Sequence, residues 1–208
     1  MFIAGWSSSE ARRAHNPKVA GSNPAPATNL SLFERIGLFF NKNLLEKINK
    51  IMKKYNRQKA VEYARKWALG KNPYYYHFEG IGGDCTNFVS QCLLAGGAKM
   101  NYDKYYGWFY ISKDNRSPSW TSVKYFERFL LSNKIPGVKA EITPLNKLEI
   151  GDIIQIRQNP NEFNHTVIIT NILDGEFYVC SHSYDALDKP LSHYNYLELK
   201  GIHIIGFN

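Results

Sequence analysis

Cys85 lies in the run Gly82-Gly83-Asp84-Cys85-Thr86-Asn87-Phe88-Val89-Ser90-Gln91. Two glycines and an acid, followed by apolar residues at 88, 89, 92 and 93, spell the start of a helix, with Asp84 as the expected N-cap. A thiol in that first turn meets unpaired backbone N–H groups and the positive end of the helix dipole. Both favour the thiolate, and a thiolate is a nucleophile. The N–H groups there, including that of Cys85, could supply part of an oxyanion hole, with the Asp84 carboxylate ordering the turn. The competing reading is a small buried side chain without reactivity, which is common for cysteine.

A cysteine nucleophile needs a base, and the base needs an orienting partner. His165 stands at the mouth of an apolar strand, after the polar loop Asn159-Pro160-Asn161-Glu162, where a side chain can face a cleft. Asp174-Gly175 is a hairpin signal. If the chain folds back there, the far end of the next strand brings His182 beside His165. Period two puts Tyr178, Cys180 and His182 on one face of that strand. Cys92 and Cys180 read as core, and His77, His193 and His203 as surface or internally satisfied histidines. Trp108, Tyr110 and Trp120 are read either as the lining of a substrate groove, with Trp108 the residue singled out, or as core. A zinc site built from Cys85, His165, His182 and Cys180 is the alternative use of these side chains. Their wide separation and the lack of a CxxC pair count against it.

The elements that must hold these residues follow from periodicity. Ala60, Val61, Ala64, Trp67 and Ala68 form one face of a helix over 57–69, stopped by Gly70 and Pro73. The cysteine helix should end near Ala95-Gly96-Gly97, and a second amphipathic helix is expected over 122–133. Between them lies a long aromatic segment, 102–120, of the length that is usually functional. After Pro136-Gly137 the period becomes two, with strands expected at 153–156, 165–170, 176–183 and 202–207. Helices followed by an antiparallel sheet make an α+β fold.

The chain has 208 residues, enough for one domain with appendages, and its 44% hydrophobic and 21% charged composition is that of a globular protein. Fourteen tyrosines and twelve phenylalanines suit grooves for extended or glycan-bearing ligands. The net charge of +8 favours anionic surfaces. Its spread along the chain, without a basic block, argues against nucleic-acid binding. Three cysteines at unrelated spacings give no disulfide framework. No apolar run reaches the roughly 20 residues of a membrane span.

Residues 1–28 differ from the rest: polar, rich in Ser, Ala and Pro, and without period. They lack the apolar core of a secretory signal. They resemble a transfer-RNA gene read as protein, which implies an unstructured leader and a true start downstream, near Met52. Residues 29–54 carry Leu32, Phe33, Ile36, Phe39, Phe40, Leu44, Leu45 and Ile48 at helical spacing. This segment is expected to be an amphipathic helix or linker. The catalytic domain is expected over 55–208.

GGDCTNFVSQCLLAGG, with Val61-Glu62-Tyr63-Ala64-Arg65-Lys66-Trp67 and Asn72-Pro73 before it and LEIGDIIQI and NHTVIIT after it, resembles the putative amidase domain family of bacteria. That family is similar to the NlpC/CHAP branch of papain-like cysteine hydrolases, which share the order Cys, His, polar residue. The resemblance implies a papain-like fold with N-terminal helices packed on an antiparallel sheet. It makes Cys85 the nucleophile, His165 the base and His182 the third residue, with Ser183 and Asp185 as alternatives. It further implies an amide-cleaving enzyme that needs no cofactor and acts on a peptide or peptidoglycan-like substrate, with peripheral association to cell wall or membrane surface. An acyltransferase using the same thiol, or a catalytically idle wall-binding module, are the other functions considered.

Overall fold

The computed structural model describes residues 52–81, 83–132 and 136–208. They belong to one compact unit. The leader expected over 1–28 and nearly all of the helix expected over 29–54 lie outside the described residues. Lys53 is already part of the domain, exchanging both backbone hydrogen bonds with Phe207 (2.6 and 3.0 Å). Among the described residues no helix is long and apolar enough to cross a membrane.

Helix α1 spans Arg57–Trp67, and Asn56 caps it by accepting the Lys59 N–H. Helix α2 spans Cys85–Ala95; Pro118–Thr121 is the short α3, and Val123–Leu130 is α4. Strands follow at Val138–Ile142 (β1), Ile153–Arg157 (β2), His165–Leu173 (β3), Glu176–Ser181 (β4), Ala186–Pro190 (β5) and Glu198–Phe207 (β6). They form one antiparallel sheet in the order β1-β6-β2-β3-β4-β5. The domain is therefore α+β.

Alternation along the strands feeds two cores. Ile153, Ile168, Cys180, Ile202 and Ile204 pack against α2 and α4 through Phe88, Val89, Cys92, Phe126 and Leu130. Ile154, Ile156, Val167, Ile169 and Val179 point the other way and meet Leu191 and Tyr194. Both faces are buried, so β2 and β3 read as nearly continuous apolar runs. The aromatic segment is drawn onto α2. The Trp108 indole N–H donates to Ser90 Oγ (3.0 Å) and that of Trp120 to Asn87 Oδ1 (2.8 Å). These bonds account for two polar residues buried inside α2, since a buried indole needs an acceptor.

The Gly151-Asp152 turn ties α1 to the sheet. Gly151 has φ +89°, and an added Cβ would stand 3.1 Å from Arg57 Cβ. The fully buried Asp152 carboxylate accepts from Arg57 Nη1 (2.6 Å), His203 Nδ1 (2.8 Å) and the backbone of Glu149 and Ile204 (2.8 and 2.9 Å).

Candidate active site

Cys85 opens α2, as the sequence suggests, but Asp84 does not cap it. The Asp84 side chain makes no capping bond. Ser183 Oγ takes that place, accepting the N–H of Asp84 (2.5 Å) and of Cys85 (3.2 Å). Ser183 has φ +71°, a backbone conformation that brings a residue 98 positions away onto the helix start. Gly83, at φ +91°, leaves the room: a Cβ there would stand 3.4 Å from Ser183 Oγ. The N–H groups expected to form an oxyanion hole are thus held by a serine hydroxyl.

The Asp84 carboxylate is turned inward instead. Oδ1 accepts from the Phe78 N–H (3.0 Å) and Asn87 Nδ2 (2.6 Å). Oδ2 meets two imidazoles, His182 Nδ1 at 2.7 Å and His77 Nδ1 at 2.9 Å. Burial raises its pKa, but the bonds from His182, Phe78, Asn87 and His77 outweigh this and hold it below the ordinary carboxylate value. With all these acceptor sites engaged and 1% of its surface exposed, Asp84 has no face for a substrate.

His182 is equally engaged. Its ring stacks on Phe88 with centroids 4.1 Å apart, and Nε2 reaches the Trp67 carbonyl at 2.8 Å, at the end of α1. It does not bond to His165, and strand alternation explains why. Thr166 Oγ1 meets Thr86 Oγ1 at 3.3 Å and Ile168 packs with Phe88, so even positions of β3 face α2. His165 hangs on the opposite face, its ring 5.9 Å from that of Tyr194 and 6.1 Å from that of Tyr184. Its Nε2 is buried without a hydrogen-bond partner among the described residues. The alternatives for an orienting residue are also occupied, Ser183 at the helix start and Asp185 by Lys71 Nζ (2.9 Å).

The residues that follow Cys85 and His165 do meet, Thr86 Oγ1 lying 3.3 Å from Thr166 Oγ1, so the starts of α2 and β3 are adjacent. Amides alternate sides along a strand, and that of Ile169 donates to Asp152 O on the β2 side (2.8 Å). The Thr166 amide, an odd number of residues away, faces the β4 side, where β4 has ended at Ser181. The Thr166 backbone acts on the Cys85 thiol in the direction that lowers its pKa. Through Thr86 and Thr166 the start of α2 is thus held near the start of β3, where His165 stands.

Both groups are buried, Cys85 at 4% and His165 at 2% exposure. Burial pushes the Cys85 thiol up, against the lowering effect of hydrogen bonds from Thr166 and Thr86. The sequence points to a thiolate favoured by the helix dipole; in the structure desolvation dominates, because Sγ is enclosed. Burial, with repulsion from Lys189, drives His165 down to about 4. At neutral pH the pair is thiol and neutral imidazole.

A cleft of ≈ 350 Å³ is lined by Gly83, two residues before Cys85, by Asn164, next to His165, and by Phe78, Arg116, Lys124 and Glu162; Cys85 and His165 are not among its lining residues. Trp108 does not line it. Trp108 and Trp120 are fully buried, as hydrophobic burial of large rings favours. The zinc set of Cys85, His165, His182 and Cys180 is likewise not assembled. Among the described residues, the group close enough to hold an ion is His77, Asp84 and His182. His77 is the member that sequence pattern passes over. A histidine in a Tyr-rich loop carries no local sign of a partner seven residues on.

The family described as a putative amidase domain matches residues 54–205. YhbB of Bacillus subtilis, an uncharacterized protein, is 38% identical over 119 residues, covering 55% of this chain and 37% of that protein. YjcM of the same organism, also uncharacterized, is 29% identical over 160 residues, covering 72% of this chain and 36% of that protein. The chain thus spans little more than a third of the length of these relatives. No solved structure gives a significant match.

Proposed function

The chain belongs to the putative amidase domain family, and from that premise we propose that it is a cysteine-dependent amidase or peptidase of the papain-like, NlpC/CHAP type. The observation that carries this reading is the 3.3 Å contact between Thr86 Oγ1 and Thr166 Oγ1, the residues that follow Cys85 and His165. It supports pairing the thiol with the buried imidazole, whose Nε2 has no hydrogen-bond partner among the described residues, near a cleft lined by Gly83 and Asn164.

In the proposed cycle Cys85 Sγ attacks the amide carbonyl carbon and its proton passes to His165. His165 then delivers that proton to the departing amine nitrogen as the C–N bond breaks, leaving a thioester on Cys85. Water attacks the thioester, His165 takes a proton from it, and Sγ recovers that proton as the acid leaves. A neutral thiol and a neutral imidazole suit this order, in which the proton moves with attack rather than before it. Among the described residues His165 Nε2 has no hydrogen-bond partner, and in this reading the machinery is a Cys85–His165 dyad.

Arg116 and Lys124 on the cleft wall favour a substrate bearing carboxylates. Together with the net charge of +8, they support a peptide of the peptidoglycan type and contact with an anionic wall or membrane surface. The test is digestion of purified peptidoglycan by the full chain, with product masses read out and Cys85→Ser as control. New amine and carboxyl ends that vanish in the variant support the reading. Products that persist in Cys85→Ser, or no cleavage of peptidoglycan or its isolated peptides, refute it.

A further inference from the structure

We propose that His77, Asp84 and His182 form a binding site for a divalent transition-metal ion of the zinc class, separate from the amide chemistry assigned to Cys85. The two imidazoles come from different parts of the chain, His77 from the loop before α2 and His182 from the end of β4. Both direct Nδ1 at the same oxygen, Asp84 Oδ2 (2.9 and 2.7 Å). The ligand atoms of the three residues all lie within 4.8 Å of one another. Neighbouring ligands of a tetrahedral ion bound at about 2.0–2.1 Å stand roughly 3.3 Å apart, so each Nδ1–Oδ2 spacing needs to open by about half an ångström while the two imidazoles stay within the 4.8 Å span.

The outer ring of contacts is also that of a metal centre. Ligating histidines donate their second N–H to a carboxylate or a backbone carbonyl, which fixes ring orientation. Here His77 Nε2 meets Glu79 Oε2 at 2.6 Å and His182 Nε2 meets the Trp67 carbonyl at 2.8 Å. All four ring nitrogens therefore face oxygen atoms. A divalent cation would take the place of the two Nδ1–Oδ2 contacts, with each Nδ1 and Asp84 Oδ2 as ligands.

Two imidazoles and one carboxylate suit zinc, cobalt or nickel better than magnesium or calcium, which prefer oxygen alone. Asp84 and His182 are buried, whereas the His77 side chain is 31% exposed. The ion enters past His77, and water or a ligand completes its shell there. Occupancy would pin the His77 loop to β4 and to the start of α2.

The full chain, stripped with chelator, is titrated with Co²⁺ and Zn²⁺. One ion bound per chain is expected, with a cobalt spectrum free of thiolate charge transfer and a Tm raised by Zn²⁺. His77→Ala should weaken binding by about 100-fold or more; Glu79→Ala, which leaves all three ligands, by about 10- to 100-fold. Cys85→Ser should bind as tightly as the wild type. Both His77 and Glu79 are partly exposed, and circular dichroism confirms that their variants fold. No binding by the wild type, equal binding by His77→Ala, or loss of binding in Cys85→Ser would overturn the site.

Discussion

His182 and Asp84 form an ion pair at 2.7 Å with each side chain only 2% exposed. The other ring nitrogen of His182, Nε2, meets the Trp67 carbonyl at the C-terminal end of α1 (2.8 Å). Glu79, His77, Asp84 and His182 thereby form a continuous chain of polar contacts under the start of α2. Asp84→Ala leaves His182 buried without its carboxylate partner. A loss of about 3–5 kcal/mol of stability is expected, read from urea unfolding. A loss below about 1 kcal/mol would mean that the pair does not organise the helix start.

His165 makes stability depend on acid. Its folded pKa of about 4 lies below the ordinary value of 6.5. Above pH 6.5 neither folded nor unfolded chain binds a proton at this site, and no stability is lost. Between 6.5 and 4 the unfolded chain takes up the proton first, so stability falls as pH falls, by about 3 kcal/mol in total. Urea unfolding of wild type and His165→Gln across this window should show the wild type losing stability toward acid more steeply. Parallel pH profiles would contradict a buried neutral imidazole.

Cys85 alkylation reports the resting proton. Burial raises the thiol above the ordinary cysteine value. In chelator-treated protein the iodoacetamide rate at Cys85 should keep rising with pH through the alkaline range. Cys92 and Cys180, fully enclosed, should react more slowly still. A plateau near neutrality would show a thiolate already formed, as the helix dipole alone would give.

Ser183 holds the helix start from 98 residues away in sequence. Ser183→Ala removes the acceptor of two backbone N–H groups. It should cost about 1 kcal/mol in unfolding experiments, the scale of a lost N-cap. If Ser183 also has to leave those N–H groups for an oxyanion to bind, kcat should not fall with stability. A fall in kcat of more than about tenfold in the folded variant would make Ser183 part of the machinery itself.

Local signals in the sequence carry much of this architecture. Gly83-Asp84-Cys85 before an apolar run marks the start of α2, the polar loop before His165 marks that of β3, and Asp174-Gly175 turns β3 into β4 with φ of +51° and +82°. β5 was not legible. Ala186-Leu187-Asp188-Lys189-Pro190 lacks strand alternation and pairs because β4 offers an edge. The site is divided in the same way. The positions of Cys85 and His165 at element starts follow from their neighbours in the chain. The partners of Asp84 do not, because an Asp beside a helix start favours a cap only until a buried imidazole 98 residues away competes for it. His182 and His165 are parted by one step of strand parity, which a shift of a single residue reverses.

The central claim is that Cys85 carries the acyl group, and intact-protein mass spectrometry during turnover of a peptidoglycan-type peptide tests it most directly. The account predicts an adduct with the mass of the acyl fragment. It should map to Cys85, be released by hydroxylamine as a thioester, and be missing in Cys85→Ala. Amide cleavage by Cys85→Ala, or an acyl adduct on any other residue, would contradict it.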